Sequence, residues 1–407
     1  MKMITTCISK VKKVSALLLL AAVLPTASAG CAGPAWQGWS GFASYDGMLY
    51  LGSMSGEVIA LNVLARSEES DFPAEGEWRV TAVKAPIPSG GMCGPMGCAP
   101  VAPPVIIYTT PAVTDDLVYV ATYAGDDGKV MAINRLAPGY DEEGNPSWKK
   151  RGEWVYPQAQ NKFIGAVVGS PVVAGDTVYV GSSDGKVYAL DAVYGEERWE
   201  FDTGGKIWTS PVVKDGVVYV SNYNHKFFAL DSVDGSPIWE VELPAAVASS
   251  PAIAGGNLVF GTFDNHFYAV STDNGKTKWT FSGGNWFWAT PVVRDNVIYA
   301  GCLDGKVYAL EAGHGGKLWE FSADSPIISA PVLLNGFLVV ASKSGELYIL
   351  ETGSGDSIKT ISIGASVMAP LYGEDNMVYV HARNRCVYGV DIQKGEKVWE
   401  FCYSEIE

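Results

Sequence analysis

The sequence predicts an all-β, eight-bladed β-propeller of four-stranded antiparallel blades, and three observations carry that expectation. From Ser170 onward the chain repeats every forty residues, with proline at Pro171, Pro211, Pro251, Pro291 and Pro331 and Pro370 one residue early. An aromatic recurs at Tyr188, Phe228, Tyr268, Tyr308, Tyr348 and Tyr388, and tryptophan at Trp199, Trp239, Trp279, Trp319 and Trp399, Lys359 standing alone in the seventh copy. Between these marks lie short runs of Val, Tyr, Phe and Trp broken by Gly, Asp and Asn, a composition of strands and turns. A period of about forty residues built of short strands means one blade per repeat, stable only when its neighbours cover both faces.

In the third copy the strands are expected over 177–182, 186–191 and 197–202, with 207–213 as the first strand of the next blade. Asp184-Gly185 reads as a two-residue turn requiring positive φ, and "DAVYGE", with Gly195 near its end, joins the third strand to the fourth. The recurrent proline suits an innermost edge strand because it has no N–H to give to a ladder. Trp199 and its equivalents fall on the outermost strand, where a large ring can fill the widening gap between blades. Two looser copies, 45–62 and 109–134, run on towards Trp78 and Trp154 and complete the eight. Insertions are expected in two places only, a Pro/Gly/Cys-rich excursion over 81–108 and a second at 135–153.

Ahead of the repeats, Lys2, Lys10, Lys12 and Lys13 precede an apolar run from Val14 to Leu24 and small residues up to Gly30, the layout of a secretory signal. That run is too short to span a bilayer. The chain therefore divides into a signal peptide (1–30), a tether (31–35) and the propeller (36–407). Two cleavage readings stand: Ala27-Ser28-Ala29 fits ordinary signal peptidase, whereas Ser28-Ala29-Gly30-Cys31 resembles a bacterial lipobox, with lipid on Cys31 tethering the protein to a membrane. The full chain carries −15, and without the leader 25 basic residues face 44 acidic ones, a charge of −19. So acidic a body argues against nucleic acid or anionic lipid as a main partner and favours partners with basic patches.

An exported chain meets oxidising conditions, so its cysteines can pair. Cys93 and Cys98, in "CGPMGC", are close enough for a small disulfide, and Cys386 and Cys402 fall almost opposite one another on the third and fourth strands of the last blade. Cys302 has no obvious partner. No second CxxC or His pair accompanies them, so no metal site is expected.

Aligning the approach to each first strand places Trp39, Tyr108, Val168, Trp208, Ala248, Trp288 and Ile328 at one blade position, with Val367 or Met368 for the eighth, and Trp286 and Phe287 adjoin them. Trp39, Tyr108, Trp208, Trp286, Phe287 and Trp288 thus form a candidate ring around one mouth of the channel, either a stacking platform for a ligand or partner or packing between blades. His225 and His266 occupy equivalent turns of adjacent blades; acid–base or metal chemistry and plain turn polarity both accommodate them, and His314 and His381 complete the set of four. No nucleophile elbow, P-loop, paired-carboxylate or zinc motif is present, and no catalytic residue is expected.

The pattern VYVGSxDGxVYALDxxxGxxxWxF, as in 178–201, resembles the PQQ-like repeat shared by quinoprotein dehydrogenases and by BamB, the propeller lipoprotein of the β-barrel assembly machinery. The resemblance covers residues 36–407 and is specific for fold rather than function. Its BamB side implies a non-enzymatic envelope lipoprotein, extracytoplasmic, working as a monomer within a complex that binds other envelope proteins, the assembly machinery among them. Its quinoprotein side implies pyrroloquinoline quinone and calcium on the axis and an Asp base, but this chain has no adjacent cysteines and no CxxCH, and each repeat Asp, such as Asp184, Asp191, Asp231 and Asp304, falls where a turn explains it. No cofactor is expected. A small-ligand or polysaccharide binder is a third reading.

Overall fold

Turn chemistry and strand pattern build each blade locally. The structure, a computed structural model, describes residues 40–67, 70–82, 105–125, 127–136, 153–159 and 162–403. In blade 3 the strands Val172–Ala174, Thr177–Gly181, Lys186–Asp191 and Glu197–Asp202, here a to d, pair antiparallel in chain order. The same order holds in all eight sheets, spanning 43–81, 112–156, 172–202, 212–242, 252–282, 292–322, 332–362 and 372–402. Every blade is thus made from its own consecutive strands, and the circle closes on whole blades rather than on a borrowed strand.

Strands b and c are nearly continuous apolar runs because a neighbouring blade covers each face. The two-residue alternation sends Val178, Val180, Tyr188 and Leu190 towards blade 2 and Tyr179, Val187 and Ala189 towards blade 4. Eight apolar clusters result, one in each gap between consecutive blades, the last joining blade 8 to blade 1. Strand d, covered least, alternates exposed and half-buried residues instead.

The two-residue turn lies elsewhere than expected. Asp215 and Gly216, at φ 51° and 78°, join strands a and b of blade 4 with no other residue between Lys214 and Val217, as a type I′ hairpin requires. Between strands b and c of blade 3 the loop is three residues: Ser182 N donates to Lys186 O (2.9 Å) and Gly185 N to Ser182 O (3.1 Å), with only Gly185 at positive φ. One extra residue converts an Asp-Gly pair from a type I′ turn into a type I turn closed by a left-handed residue. His225, Asn265 and Arg385 occupy that left-handed position in blades 4, 5 and 8.

The recurrent tryptophan clasps the following blade. Trp199 Nε1 donates to Ser232 O (3.1 Å), Trp239 to Thr272 O (2.9 Å), Trp279 to Ala312 O (3.0 Å) and Trp319 to Thr352 O (2.9 Å). Trp78 and Trp154 do the same to Arg135 O and Ala192 O, so the looser copies obey the rule. Each indole from blade 2 to blade 6 lies against the c–d loop glycine of the next blade: a Cβ on Gly315 would sit 2.7 Å from Trp279 Cδ2. That glycine is also left-handed, φ 72°, so only glycine meets both demands. In blade 7, Lys359 lays its stem over Gly395 and donates from Nζ to Lys394 O (2.7 Å), replacing ring and bond by a weaker version of each.

Closure is reinforced by devices particular to blades 8 and 1. A third insertion, 63–77, lengthens the c–d loop of blade 1 where only two insertions were expected. Its Arg66 forms a buried fork with Glu77 (Nε–Oε1 2.6 Å, Nη2–Oε2 2.7 Å) and stacks over Phe401 of blade 8, 4.6 Å from the ring centroid. Conversely, Val105, Ile106 and Ile107, expected within the excursion 81–108, are buried in blade 2, with Ile106 and Tyr123 exchanging backbone bonds of 2.8 Å. The stretch 137–152 of the other insertion lies outside the described residues. Cys386 and Cys402 face each other across strands c and d of blade 8, Cα atoms 4.0 Å apart, and are joined in a disulfide.

His381 occupies a position held elsewhere by Gly, Ser or Ala, such as Gly181 and Ser221. Its Nδ1 lies 2.9 Å from Ser40 O, an acceptor only, so Nδ1 carries the hydrogen and Nε2 accepts the Tyr403 hydroxyl at 2.7 Å. Burial holds this imidazole below its ordinary value.

Two outcomes check these points. Trp279→Ala should lose about 3–5 kcal/mol in chemical denaturation, and Lys359→Trp, restoring the clasp over Gly395, should gain about 1 kcal/mol. Because the folded imidazole resists a proton that the unfolded one accepts near 6.5, stability should fall as pH drops below about 6.5, by at most about 1.4 kcal/mol per pH unit from this group. Denaturation at pH 7.5 and 5.0 should show a flatter dependence for His381→Gln than for the parent; equal slopes would assign the effect elsewhere.

Candidate functional site

Strand a of each blade lines the axis, and first strands of adjacent blades touch. Their N-terminal ends are tied by a run of hydroxyls: Thr110 N donates to Ser170 Oγ (2.9 Å), Ser170 N to Ser210 Oγ (2.8 Å) and Ser210 N to Ser250 Oγ (3.0 Å). On this face the approach to strand a runs beside the b–c turn of its own blade. Tyr223 N donates to Lys206 O (2.8 Å), Leu303 N to Trp286 O (2.9 Å), and Lys343 N and Arg383 N do likewise to Pro326 O and Ser366 O.

These pairings gather an aromatic belt over blades 4 to 6. Trp208 meets Tyr223 (centroids 5.0 Å apart), Tyr223 meets Phe263 (6.0 Å), and Phe263 meets both Trp286 (5.0 Å) and Trp288 (5.7 Å). Trp208 is 45% exposed, Tyr223 37% and Trp288 36%. Rings of this size left in water as a contiguous set mark a contact surface, since scattered single ones need no explanation. Blade 2 adds a separate pair, Tyr108 against Tyr123 at 5.3 Å, with the Tyr108 phenol pushed up to about 12 by burial.

The structure sorts the expected ring residues. Trp208, Trp286 and Trp288 come together in the belt, and Tyr108 stands on the same face in blade 2. Phe287 does not belong: it is 0% exposed and packs with Phe267, Phe281 and Tyr308 in the gap between blades 5 and 6. The approach is extended, so alternate side chains point oppositely, and Phe287 takes the inward direction that Ile207 and Ile327 take in their blades. Trp39, Cys31, Cys93 and Cys98 lie outside the described residues. The sequence reading missed Tyr223 and Phe263, which follow strand b; the signal was available in the equivalent Tyr123, but residues there vary too much to show a period.

The histidines serve local structure. His266 Nδ1 lies 2.9 Å from Asp264 O, and His314 bonds to Glu311, whose carboxyl it draws down to about 2. No group of three or more His, Cys, Asp or Glu converges among the described residues. Cys302 is buried, its Sγ 3.2 Å from Asn285 O, and burial pushes the thiol up to about 12, away from reactive thiolate.

Calcium and a quinone require several carboxylate or amide oxygens converging on one cation. The repeat carboxylates are instead distributed one per turn. Asp184 Oδ2 accepts from Gly165 N (3.0 Å) and Tyr188 Oη (2.8 Å), and Asp304 Oδ2 from Gly284 N (3.0 Å) and Tyr308 Oη (2.6 Å). Asp191 and Asp231 each cap the backbone N–H two residues on. The described residues therefore do not fit a calcium-held quinone.

Comparison with known proteins agrees with this architecture. Residues 167–406 match the family model described as the β-propeller of the beta-alanine-activating enzyme, and residues 32–206 match that of the outer membrane protein assembly factor BamB. No curated protein matches significantly in sequence. Among solved structures, BamB from Moraxella catarrhalis superposes with a TM-score of 0.62 at 17% identity, covering 84% of this chain and 93% of its own. The computationally designed Ika8 protein reaches 0.63 at 15% identity, covering 90% and 96%. At such identities the superpositions speak for fold alone. With eight four-stranded blades in place and a family model matched over more than half its length, the chain belongs to the PQQ-like repeat β-propellers, the family of the beta-alanine-activating enzyme propeller.

Proposed function

We propose that this protein is a non-enzymatic, extracytoplasmic propeller of the cell envelope, tethered through lipid on Cys31, that docks other envelope proteins on the face carrying the aromatic belt. The belt itself carries the reading. Five rings from three blades are held together by a rigid circle of sheets, with Trp208, Tyr223 and Trp288 exposed and Phe263 and Trp286 half-buried between them, and large rigid aromatics are the side chains that anchor protein contacts at low entropic cost. The signal-like leader and Cys31 support the location, and the match of residues 32–206 to the BamB model favours β-barrel assembly machinery as the partner in a cell with an outer membrane.

The test is crosslinking and pull-down from native envelopes with the parent and with Trp208→Ala/Trp288→Ala. The parent should retain defined envelope proteins and the double variant should lose them while keeping its thermal midpoint; unchanged capture would reduce the belt to packing. In the same preparations Cys31→Ser should move the protein from the membrane to the soluble fraction.

A further inference from the structure

We infer that the belt face selects an extended, acidic partner segment, one whose apolar side chains stack on the rings while flanking carboxylates meet Lys206, Lys343 and Arg383. The inference rests on the docking reading and adds the chemistry of the partner. Three repeat positions shape the inner edge of this face: the approach residues equivalent to Lys206 and Trp208, and the turn residue equivalent to Tyr223. None of the 22 described residues at these positions is Asp or Glu, although the chain carries 44 acids.

Cations occur there instead. Lys206 lies two residues before Trp208 at one end of the belt, and Lys343 and Arg383 continue the turn position into blades 7 and 8 beyond its other end. All three are exposed, and none has an ion-pair partner among the described residues. Lys186, Lys226 and Lys306, in equivalent places on strand c, each hold a cross-strand Glu at 2.6 Å, so ion pairing is ordinary in this repeat and its absence at the mouth is local. The next residue of the turn, Asp184 in blade 3, Asp264 in blade 5 and Asp304 in blade 6, is Asn224, Ser344 and Asn384 in the blades where the three cations stand. Asp324, on the approach to strand a of blade 7, is engaged by Ser344 Oγ and by Tyr348 Oη at 2.9 Å, and Glu346, the residue after the turn, accepts from Ser362 Oγ at 2.8 Å.

The charge of −19 on residues 31–407 favours basic partners at long range, but beyond about 8 Å surface charges are largely screened at physiological ionic strength, so a segment lying on the belt is judged by the groups beside it. The carboxylates among them, Asp264, Asp304 and Asp324, each already accept from hydroxyl or backbone donors, whereas the three cations and the exposed rings are left for a partner. An extended peptide suits the outline, because the belt is a chain of rings crossing three blades rather than one closed cavity.

The experiment uses two capped peptides with the same Leu-Phe-Leu core, one flanked by glutamates and one by lysines, titrated into the full chain while its tryptophan fluorescence is followed. The glutamate peptide should bind about tenfold more tightly, with an advantage that shrinks as salt rises. Lys343→Glu/Arg383→Glu, both at exposed sites and checked by an unchanged thermal midpoint, should remove or reverse the preference, and Trp208→Ala/Trp288→Ala should weaken both peptides alike. Equal affinity, preference for the lysine peptide, no binding of either, or a preference that survives charge reversal would each overturn the inference. If the envelope pull-down still depends on Trp208 and Trp288 while the peptides show no charge preference, the acidic partner alone falls; if the pull-down is also indifferent, the docking reading falls with it.

Discussion

From blade 2 to blade 6 the outer-strand indole rests on a glycine of the next blade and donates its N–H to a carbonyl in the same loop, and the forty-residue period follows from that contact. A four-stranded sheet of this size has two apolar faces and no means of covering either. The clasp fixes the distance and angle at which the neighbouring sheet covers one of them. Tyr179 and Tyr119 add their hydroxyls to the carbonyls that Trp199 and Trp154 use, so one acceptor receives two donors from the preceding blade. The glycine and the tryptophan recur together because they are parts of one joint, which the strand b tyrosine joins in most blades, with Val259 in its place in blade 5.

A ring held by equivalent joints must still close, and there the chain departs from its own rule. Blade 1 replaces the short c–d loop with 63–77, in which the Arg66–Glu77 fork takes cover beneath Phe401, Trp399 and Phe72. Blade 8 pins its outer strand with Cys386–Cys402 and fills a position kept small elsewhere with His381, satisfied at both nitrogens. A buried fork, a covalent staple and a neutral buried imidazole all make the seam specific, where its two blades, 43–81 and 372–402, come from opposite ends of the chain.

The eight blades were legible because the joint tolerates few residue types, which makes Trp, Gly and Tyr audible at fixed spacing. Strands b to d of blade 3 were placed to within about a residue, whereas the first strand, expected over 207–213 in blade 4, covers only Val212–Lys214 because the residues before it run as an extended approach; the Cys386 and Cys402 positions were read as opposed. The b–c turn was misjudged because Asp-Gly looks the same in a two- and a three-residue loop, and only the register distinguishes them. The loop 63–77 stayed hidden, since nothing in Arg66 or Glu77 announces a partner until the seam brings them beneath Phe401. Phe287 was placed with its neighbours although simple alternation separates it from Trp286 and Trp288. Tyr223 and Phe263 escaped for the opposite reason: the fold places no demand on their position, so no period marks it. Freedom from the fold is also what leaves that position open to the partner selection proposed for it.

Neighbouring blades hold each other through the indole joint, so damage to one joint must register on both sides of it. Native-state hydrogen exchange on the parent and on Trp239→Ala tests this most directly. Protection should fall together in strands b and c of blade 4 and blade 5, with distant blades 1 and 8 little changed. Loss confined to blade 4, with blade 5 as protected as before, would contradict it.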